Sequence, residues 1–182
     1  MRQKNNKKGS PLSIFSKKGE GQALIEILLY ISLAALLLVS ISSCFYLILH
    51  SRVKSQTVAE VEQQGTQIMQ IITQAIRNAE NINSPPAGSS SSSLSLDAVG
   101  TGADPTVFDA SAGLSRIKEG SGDIVNLNNS RIHISNLDFS NLSRAGTPGN
   151  IKVRFTLTHQ NPEGRNEYDY SKIFYGTASL RQ

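Results

Sequence analysis

The sequence predicts an α+β protein, in which one long N-terminal helix packs on a C-terminal antiparallel β-sheet domain. Three observations carry that expectation. Residues 27–49 form an uncharged, almost wholly apolar run. Apolar residues from Val58 to Ala79 then recur at steps of three, four and seven, which is the spacing of one helix face. From Leu94 onward the pattern changes to short alternating apolar runs separated by turn residues, the mark of strands.

At ~1.5 Å of rise per residue, a helix over Ile27–Leu49 reaches ~35 Å, enough to cross a bilayer core of ~30 Å. A cleaved secretory signal has an apolar segment of only ~7–15 residues, closed by a small-x-small site. Neither feature fits this run, and a single transmembrane part over about residues 27–49 fits better. The first 21 residues hold Arg2, Lys4, Lys7, Lys8, Lys17 and Lys18 against one acid, Glu20. That asymmetry predicts a cytoplasmic N-terminus, with the chain beyond the span on the other side. It also distorts the bulk charge. Without these six cations and one acid, the formal +4 of the whole chain becomes −1, so the sequence pI of 9.3 does not describe residues 22–182. A nucleic-acid-binding tail would need interleaved aromatics or a folded partner beside its cations; Phe15 is the one aromatic among these residues, so no direct nucleic-acid partner is expected.

One ionisable group, Glu26, stands at the N-terminal edge of the run, five residues after Gly21. A carboxylate left unpaired in a membrane helix costs ~2–3 kcal/mol near the centre and less toward the interface. Such a residue is functional by default, and a partner for it is to be sought.

Basic residues, then Gly21, then Gln22-Ala23-Leu24-Ile25-Glu26 and the apolar run, resemble the cleavage and anchor motif of type IV prepilins. The pseudopilins of type II secretion systems share that motif. In this family a membrane aspartyl peptidase cuts after the glycine and N-methylates the newly exposed residue. The resemblance implies a cytoplasmic leader peptide over 1–21, cleavage by a prepilin peptidase between Gly21 and Gln22, and N-methylation of Gln22. It makes Glu26 the glutamate whose carboxylate pairs with the terminal amine of a neighbouring subunit during assembly. Gln22 departs from the pattern, standing where the family most often has Phe. The implied partners are the prepilin peptidase, other pilin or pseudopilin subunits, the inner-membrane assembly platform and the membrane itself. The implied location is a single pass through the inner membrane, followed by a pilus or pseudopilus. Small residues in the run (Ser32, Ala34, Ala35, Ser40, Ser43) allow helices to approach closely.

Cys44 is the only cysteine, so no disulfide can form within the chain. Its setting, Ile41-Ser42-Ser43-Cys44, also resembles a bacterial lipobox, which gives the alternative of a membrane-anchored lipoprotein or binding module lipidated at Cys44. Against that reading, the run stays apolar through Phe45-Tyr46-Leu47-Ile48-Leu49, and Gly21 and Glu26 are left without a role. A small membrane-buried thiol is the simpler account.

Beyond His50 the helix is expected to continue as an amphipathic one. Val58, Val61, Ile68, Ile71, Ile72, Ala75, Ile76 and Ala79 make one stripe, with Glu60, Glu62, Gln63, Gln67, Gln70, Gln74 and Arg77 on the other faces. Gly65 interrupts the stripe, where a bend is expected. The helix is expected over 22–83, ending before Pro85 and Pro86, which disfavour helical conformation ahead of them. This half-greasy, half-striped helix is a second point of resemblance to pilins, and the segments Val61–Gly65 and Ile76–Ala79 look more like minor pilins than major ones. Residues 84–93 read as a Pro/Ser-rich loop.

Residues 94–182 read as a β-rich globular domain. Strands are expected at Leu94–Asp97, Val107–Phe108, Leu114–Lys118, Asp123–Leu127, Arg131–Phe139, Ile151–His159 and Lys172–Leu180. The apolar phase slips between Ile132, Ile134 and Leu137, Phe139, which predicts a bulge near Ser135-Asn136. Turns are expected at Gly100-Thr101-Gly102, Gly120-Ser121-Gly122, Gly146-Thr147-Pro148-Gly149 and Asn161-Pro162-Glu163-Gly164. The ending Phe174–Arg181 resembles the final strand of minor pilins. No Cys/His pair has metal-ligand spacing, and no phosphate loop, dinucleotide fingerprint or nucleophile elbow occurs. His133 and His159 are read as solvated surface residues, and Asp97, Asp104, Asp109, Asp123, Asp138 and Asp169 as scattered surface charge. A non-enzymatic protein without cofactor or metal is expected.

Overall fold

The computed structural model describes residues 20–98 and 102–181. Most of the expected leader and part of the Gly100-Thr101-Gly102 turn lie outside them. The chain has an α+β architecture, and two units divide it after Ile48. Both contain part of one α-helix, α1, which runs unbroken for 59 residues over Glu20–Asn78.

In the first unit α1 is apolar on every face. Each large apolar side chain from Leu24 to Ile48 is more than half exposed, from Ile48 at 51% upward. The hydroxyls of Ser32, Ser40, Ser42 and Ser43 donate to carbonyls three or four residues back in the helix, so they present no free donor to a surrounding apolar phase. Burial is worth roughly 1.5–3 kcal/mol for each large aliphatic side chain, so water is the wrong solvent for this segment. The helix is long and apolar enough to cross a membrane, and its most apolar stretch has no protein cover.

In the second unit the remainder of α1 packs on two antiparallel sheets. The five-stranded sheet has the order β1-β3-β4-β5-β6 and the four-stranded sheet β2-β7-β8-β9. In chain order these are β1 (Ala79–Ser84), β2 (Ser90–Ser91), β3 (Leu94–Ala98), β4 (Thr106–Ser111), β5 (Leu114–Glu119), β6 (Val125–Asn126), β7 (Ile132–Asn141), β8 (Asn150–His159) and β9 (Ser171–Ser179). One core joins them. Val61, Ile68, Ile72 and Ile76 of α1 are fully buried with Leu94, Phe108, Phe139, Ile151, Val153, Phe155 and Leu157 of the strands. The steps of three and four along the helix meet the steps of two along β8, as two periodic faces must to share one core.

β8 is the clearest strand. Ile151, Val153, Phe155 and Leu157 point inward at 0% exposure, while Lys152 and Arg154 point out. β7 carries the expected bulge: its register against β8 shifts between Ser135 and Asp138, and Asn136 has φ 51°. The extra residue moves the inward phase from Ile134 to Leu137, so both halves of the strand keep their apolar residues in the core. Between β4 and β5 the two-residue loop Ala112-Gly113 has φ 50° and 77°, the doubly positive pattern of a tight hairpin.

The expected helix end and the following loop are corrected. α1 stops at Asn78, and Ala79–Ser84 form β1 instead of a last helical turn. Asn78, Asn81 and Asn83 compete for backbone groups and favour departure from the helix, and pairing with β3 gives the segment a ladder. The carbonyl of Arg77, orphaned at the helix end, accepts from the Arg181 N–H at 3.2 Å. The serine run is also more than a loop. Ser90 and Ser91 pair with Ser140 and Phe139 of β7, and Gly88 N–H and Ser89 C=O bond the two backbone groups of Asn141.

Gly65 bends nothing, since α1 passes through it. A Cβ at this position would lie 2.1 Å from Cζ of Phe174, so the missing side chain is the seat of that ring. Phe174 is held there by stacking on Phe155, with centroids 5.3 Å apart. Alanine is the better helix former by about 1 kcal/mol. Gly65→Ala is nevertheless expected to lower stability, because displacing a stacked ring costs roughly 1–3 kcal/mol. Denaturant unfolding of the single variant and of Gly65→Ala/Phe174→Leu checks this: the second substitution should recover most of the loss.

Candidate functional site

The sequence singles out Gly21, Gln22 and Glu26, and all three fall in the first turns of α1. The space around Gly21 is open for 4 Å where a side chain would stand. Gln22 and Glu26 are exposed. Four residues apart, they share one face of the helix, and Tyr30 continues it at the next step of four. The Tyr30 hydroxyl donates to Oε1 of Glu26 at 3.2 Å. Ile25 and Leu29 flank this row and complete a shallow concavity. The result is a carboxylate held by one neutral donor, with at least two further acceptor positions free, on an otherwise apolar surface. An ammonium group is the natural complement. The bond to Tyr30 was not anticipated from the sequence, although the Glu-x-x-x-Tyr spacing carries it.

Cys44 is exposed within the same helix, with α1 continuing past it for 34 residues to Asn78.

A second cluster of polar groups lies in the β domain, where the chain around the short 3-10 helix Asn166–Tyr168 meets residues 50–62 of α1. Lys54 Nζ donates to the carbonyls of Asn166 (3.1 Å) and Asp169 (2.5 Å). His50 Nδ1 lies 3.1 Å from Oε1 of Glu167, and Arg165 donates to the same oxygen at 2.6 Å. Glu167 is buried, and its own backbone N–H together with Arg165 holds its carboxyl below the ordinary range. Glu60 accepts from Arg131 at 2.9 Å and from Asn129 at 2.7 Å. Lys172 donates to Glu62 at 2.7 Å, and Tyr170 adds a bond at 3.3 Å. That Lys172 bond, more than any other contact, pulls the Glu62 carboxyl down.

His159 is corrected here. It is 8% exposed and stacked on Tyr168, with Nε2 3.8 Å from Glu60. The alternation of β8 carries the reason: Ile151, Val153, Phe155 and Leu157 point inward, and 159 is the next odd number. His133, on the opposite parity of β7, is exposed as expected. A cleft of about 510 Å³ opens beside His159, lined by Glu60, Arg131, Arg165 and Tyr168. Its cations are already paired with Glu60 and Glu167, so the cluster reads as a clamp between loop and helix.

Among the described residues no three His, Cys, Asp or Glu side chains are placed to hold a metal ion. The Asp97 carboxyl is pushed up chiefly by the charge of Asp104. No family model, curated protein or solved structure matches this chain.

The clamp gives a signed pH dependence. Glu62 and Glu167 have folded pKa values below the ordinary carboxylate value, so their contribution is complete above that value. It is lost as pH falls through the depressed folded values. Lys172→Gln is expected to lower stability at neutral pH and to flatten the acid limb, since the parent alone has the bond to lose. Denaturant midpoints of both proteins at neutral and acid pH check this.

Proposed function

We propose that this chain is a minor pilin or minor pseudopilin, a non-enzymatic structural subunit. In this reading a prepilin peptidase processes it, and it assembles through its N-terminal helix into a type IV pilus or type II secretion pseudopilus. One observation carries the reading. Gly21, Gln22 and Glu26 stand at the head of a helix that is apolar all round and uncovered at first, and farther on carries a folded β domain along one buried stripe. A simple anchor would need the apolar segment but not the carboxylate at its edge. A soluble domain would need the stripe but not the segment.

Hydrolysis of the Gly21–Gln22 peptide bond frees the amine of Gln22, whose methylation leaves it cationic. Residues 1–21 stay cytoplasmic through their six cations, and the β domain lies on the far side of the inner membrane. Glu26 of one subunit then pairs with the Gln22 amine of a neighbour inside a bundle of apolar helices. Either charge alone is costly there, and each offsets the other. The pair fixes one axial register, while burial of residues 27–49 supplies cohesion. The inner-membrane assembly platform and other pilin or pseudopilin subunits are the partners this mechanism requires.

Intact mass is the direct test. Protein from its native membrane should lack residues 1–21 and carry one methyl group, whereas loss through Ser43 with added lipid on Cys44 would refute the reading. Gly21→Leu should accumulate at full length, because the family's peptidase accepts only a small side chain before the cut. Normal shortening of that variant would count against the assignment.

Glu26→Ala should leave membrane level and domain stability unchanged, since insertion gains nothing from a carboxylate. Incorporation beside partner subunits should fail, as the loss of one member of a buried pair costs ~3–5 kcal/mol. Glu26→Gln should fail nearly as badly, because it keeps the shape without the charge. Site-directed cross-linking in membranes measures this, and parental cross-linking by either variant would leave packing alone to set the register.

A further inference from the structure

β9 is a free edge of the four-stranded sheet, with β8 its one neighbour. Its register against β8 is regular from Ser171 to Ser179. Two bonds just beyond the ends, His159 N–H to Tyr170 C=O at 3.0 Å and Leu180 N–H to Gly149 C=O at 2.8 Å, fix the phase of the ladder. Even-numbered residues of β9 therefore exchange bonds with β8. The N–H and C=O groups of Ser171, Ile173, Tyr175, Thr177 and Ser179 point away from the sheet and bond nothing else among the described residues. The same residues are exposed on the outer face, Ile173 at 44% and Tyr175 at 61%.

The other edges are blunted and this one is not. β2 and β6 are two residues long, and β1 has two register shifts against β3. β9 is nine residues long, regular and free of proline. Its one charge, Lys172, is engaged by Glu62 on the inner face. A long edge without outward charge, bulge or proline templates pairing with another strand.

The side chains beside the edge say what strand fits. On β8, Lys152 lies opposite Thr177 and Arg154 opposite Tyr175. Both cations are exposed, and neither has a bond or ion pair among the described residues. Asp138, opposite Arg154 on β7, accepts from the Ser140 hydroxyl at 2.8 Å. A strand added at β9 would lie two strand spacings, roughly 9.5 Å, from β8. Extended Lys and Arg side chains cross that gap to meet glutamates, over Thr177 and the ring of Tyr175.

We infer that β9 docks an extended strand of another protein, whose outward positions carry glutamates beside an aliphatic residue. Backbone bonds to the free edge supply affinity, and Lys152 and Arg154 with Ile173 select the side chains. This inference concerns the β domain and stands apart from processing at Gly21 and pairing at Glu26.

The test uses the full chain in detergent micelles and a labelled synthetic peptide as long as β9. One face of the peptide carries threonines, the other a valine and two glutamates. Saturable binding is expected, and lysines in place of the glutamates should weaken it roughly tenfold or more. Lys152→Glu/Arg154→Glu should reverse that preference. Thr177→Pro removes one outward N–H and no bond to β8, and should weaken binding while thermal unfolding stays unchanged. N-methylating the peptide amides that face β9 should abolish binding without touching the protein's fold. Equal binding of the glutamate and lysine peptides, or indifference to N-methylation, overturns the inference. So does self-association of the chain through β9 without peptide, which would give the edge to a second copy.

Discussion

One helix has to satisfy two environments without a break in its backbone. Over its first part α1 offers apolar side chains in all directions and meets no protein cover. Over its later part it offers a single stripe, Val61, Ile68, Ile72 and Ile76, and that stripe is wholly covered. A helix can do both because its backbone bonds are internal, and remain satisfied whether lipid, protein or water surrounds it. No strand or loop has that freedom. The requirement for an unbroken helix explains why the serines in the apolar part turn their hydroxyls back on the backbone. Gly65, the weakest helix former in the second part, runs against that requirement and is tolerated because Phe174 needs the space.

The β domain adds a polar clamp to this apolar seam. Val61 and Ile76 bracket the buried stripe, and residues 50–62 are gripped by Glu167, Arg131, Lys172 and the carbonyls of Asn166 and Asp169. Most of these groups are partly solvated, so each bond is worth little alone. Their value is directional. Apolar packing permits a helix to slide or rotate on a sheet by small amounts, whereas Lys54, Arg131 and Lys172, each with fixed carbonyl or carboxylate partners, allow one placement. Specificity here comes from the polar contacts and cohesion from the apolar ones.

Much of this was legible in the sequence because periodicity reports local geometry. The helix, the strands from β3 to β9 and the bulge at Ser135–Asp138 follow from where apolar residues repeat and where the repeat slips. β1 and β2 were not legible, since Ala79–Ser84 has Ile82 as its one large apolar residue and Ser90–Ser91 has none. Both strands form through backbone pairing with a partner already present, and no side-chain pattern records that. That Gly21, Gln22 and Glu26 fall together in the first turns of one helix was legible because they are neighbours along the chain. The clamp was not, because Glu62 and Lys172 are 110 residues apart and a single sequence does not reveal which distant residues meet. His159 lay between the cases: its parity on β8 pointed inward, but its polarity argued for the surface.

The contact between Tyr30 and Glu26 bears on why a carboxylate persists at the head of an apolar helix. An ionised carboxylate has about four acceptor positions, and a single phenolic hydroxyl fills one of them. In an apolar setting the group is therefore partly satisfied, enough to lower the cost of insertion but not to remove the demand for a second donor. A more complete cage within one chain would make Glu26 indifferent to neighbours. A bare carboxylate would make the inserted monomer harder to maintain. On the proposed reading, the amine freed at Gln22 brings the missing donors and a compensating charge. Its own helix places it four residues from Glu26 along the same face, on the order of 6 Å of axial rise. A neighbouring subunit offset along the filament axis then brings its Glu26 level with that amine. If the chain assembles as proposed, the offset is set by the spacing of these two residues, while the apolar side chains around them, which slide past one another at little cost, leave it undetermined.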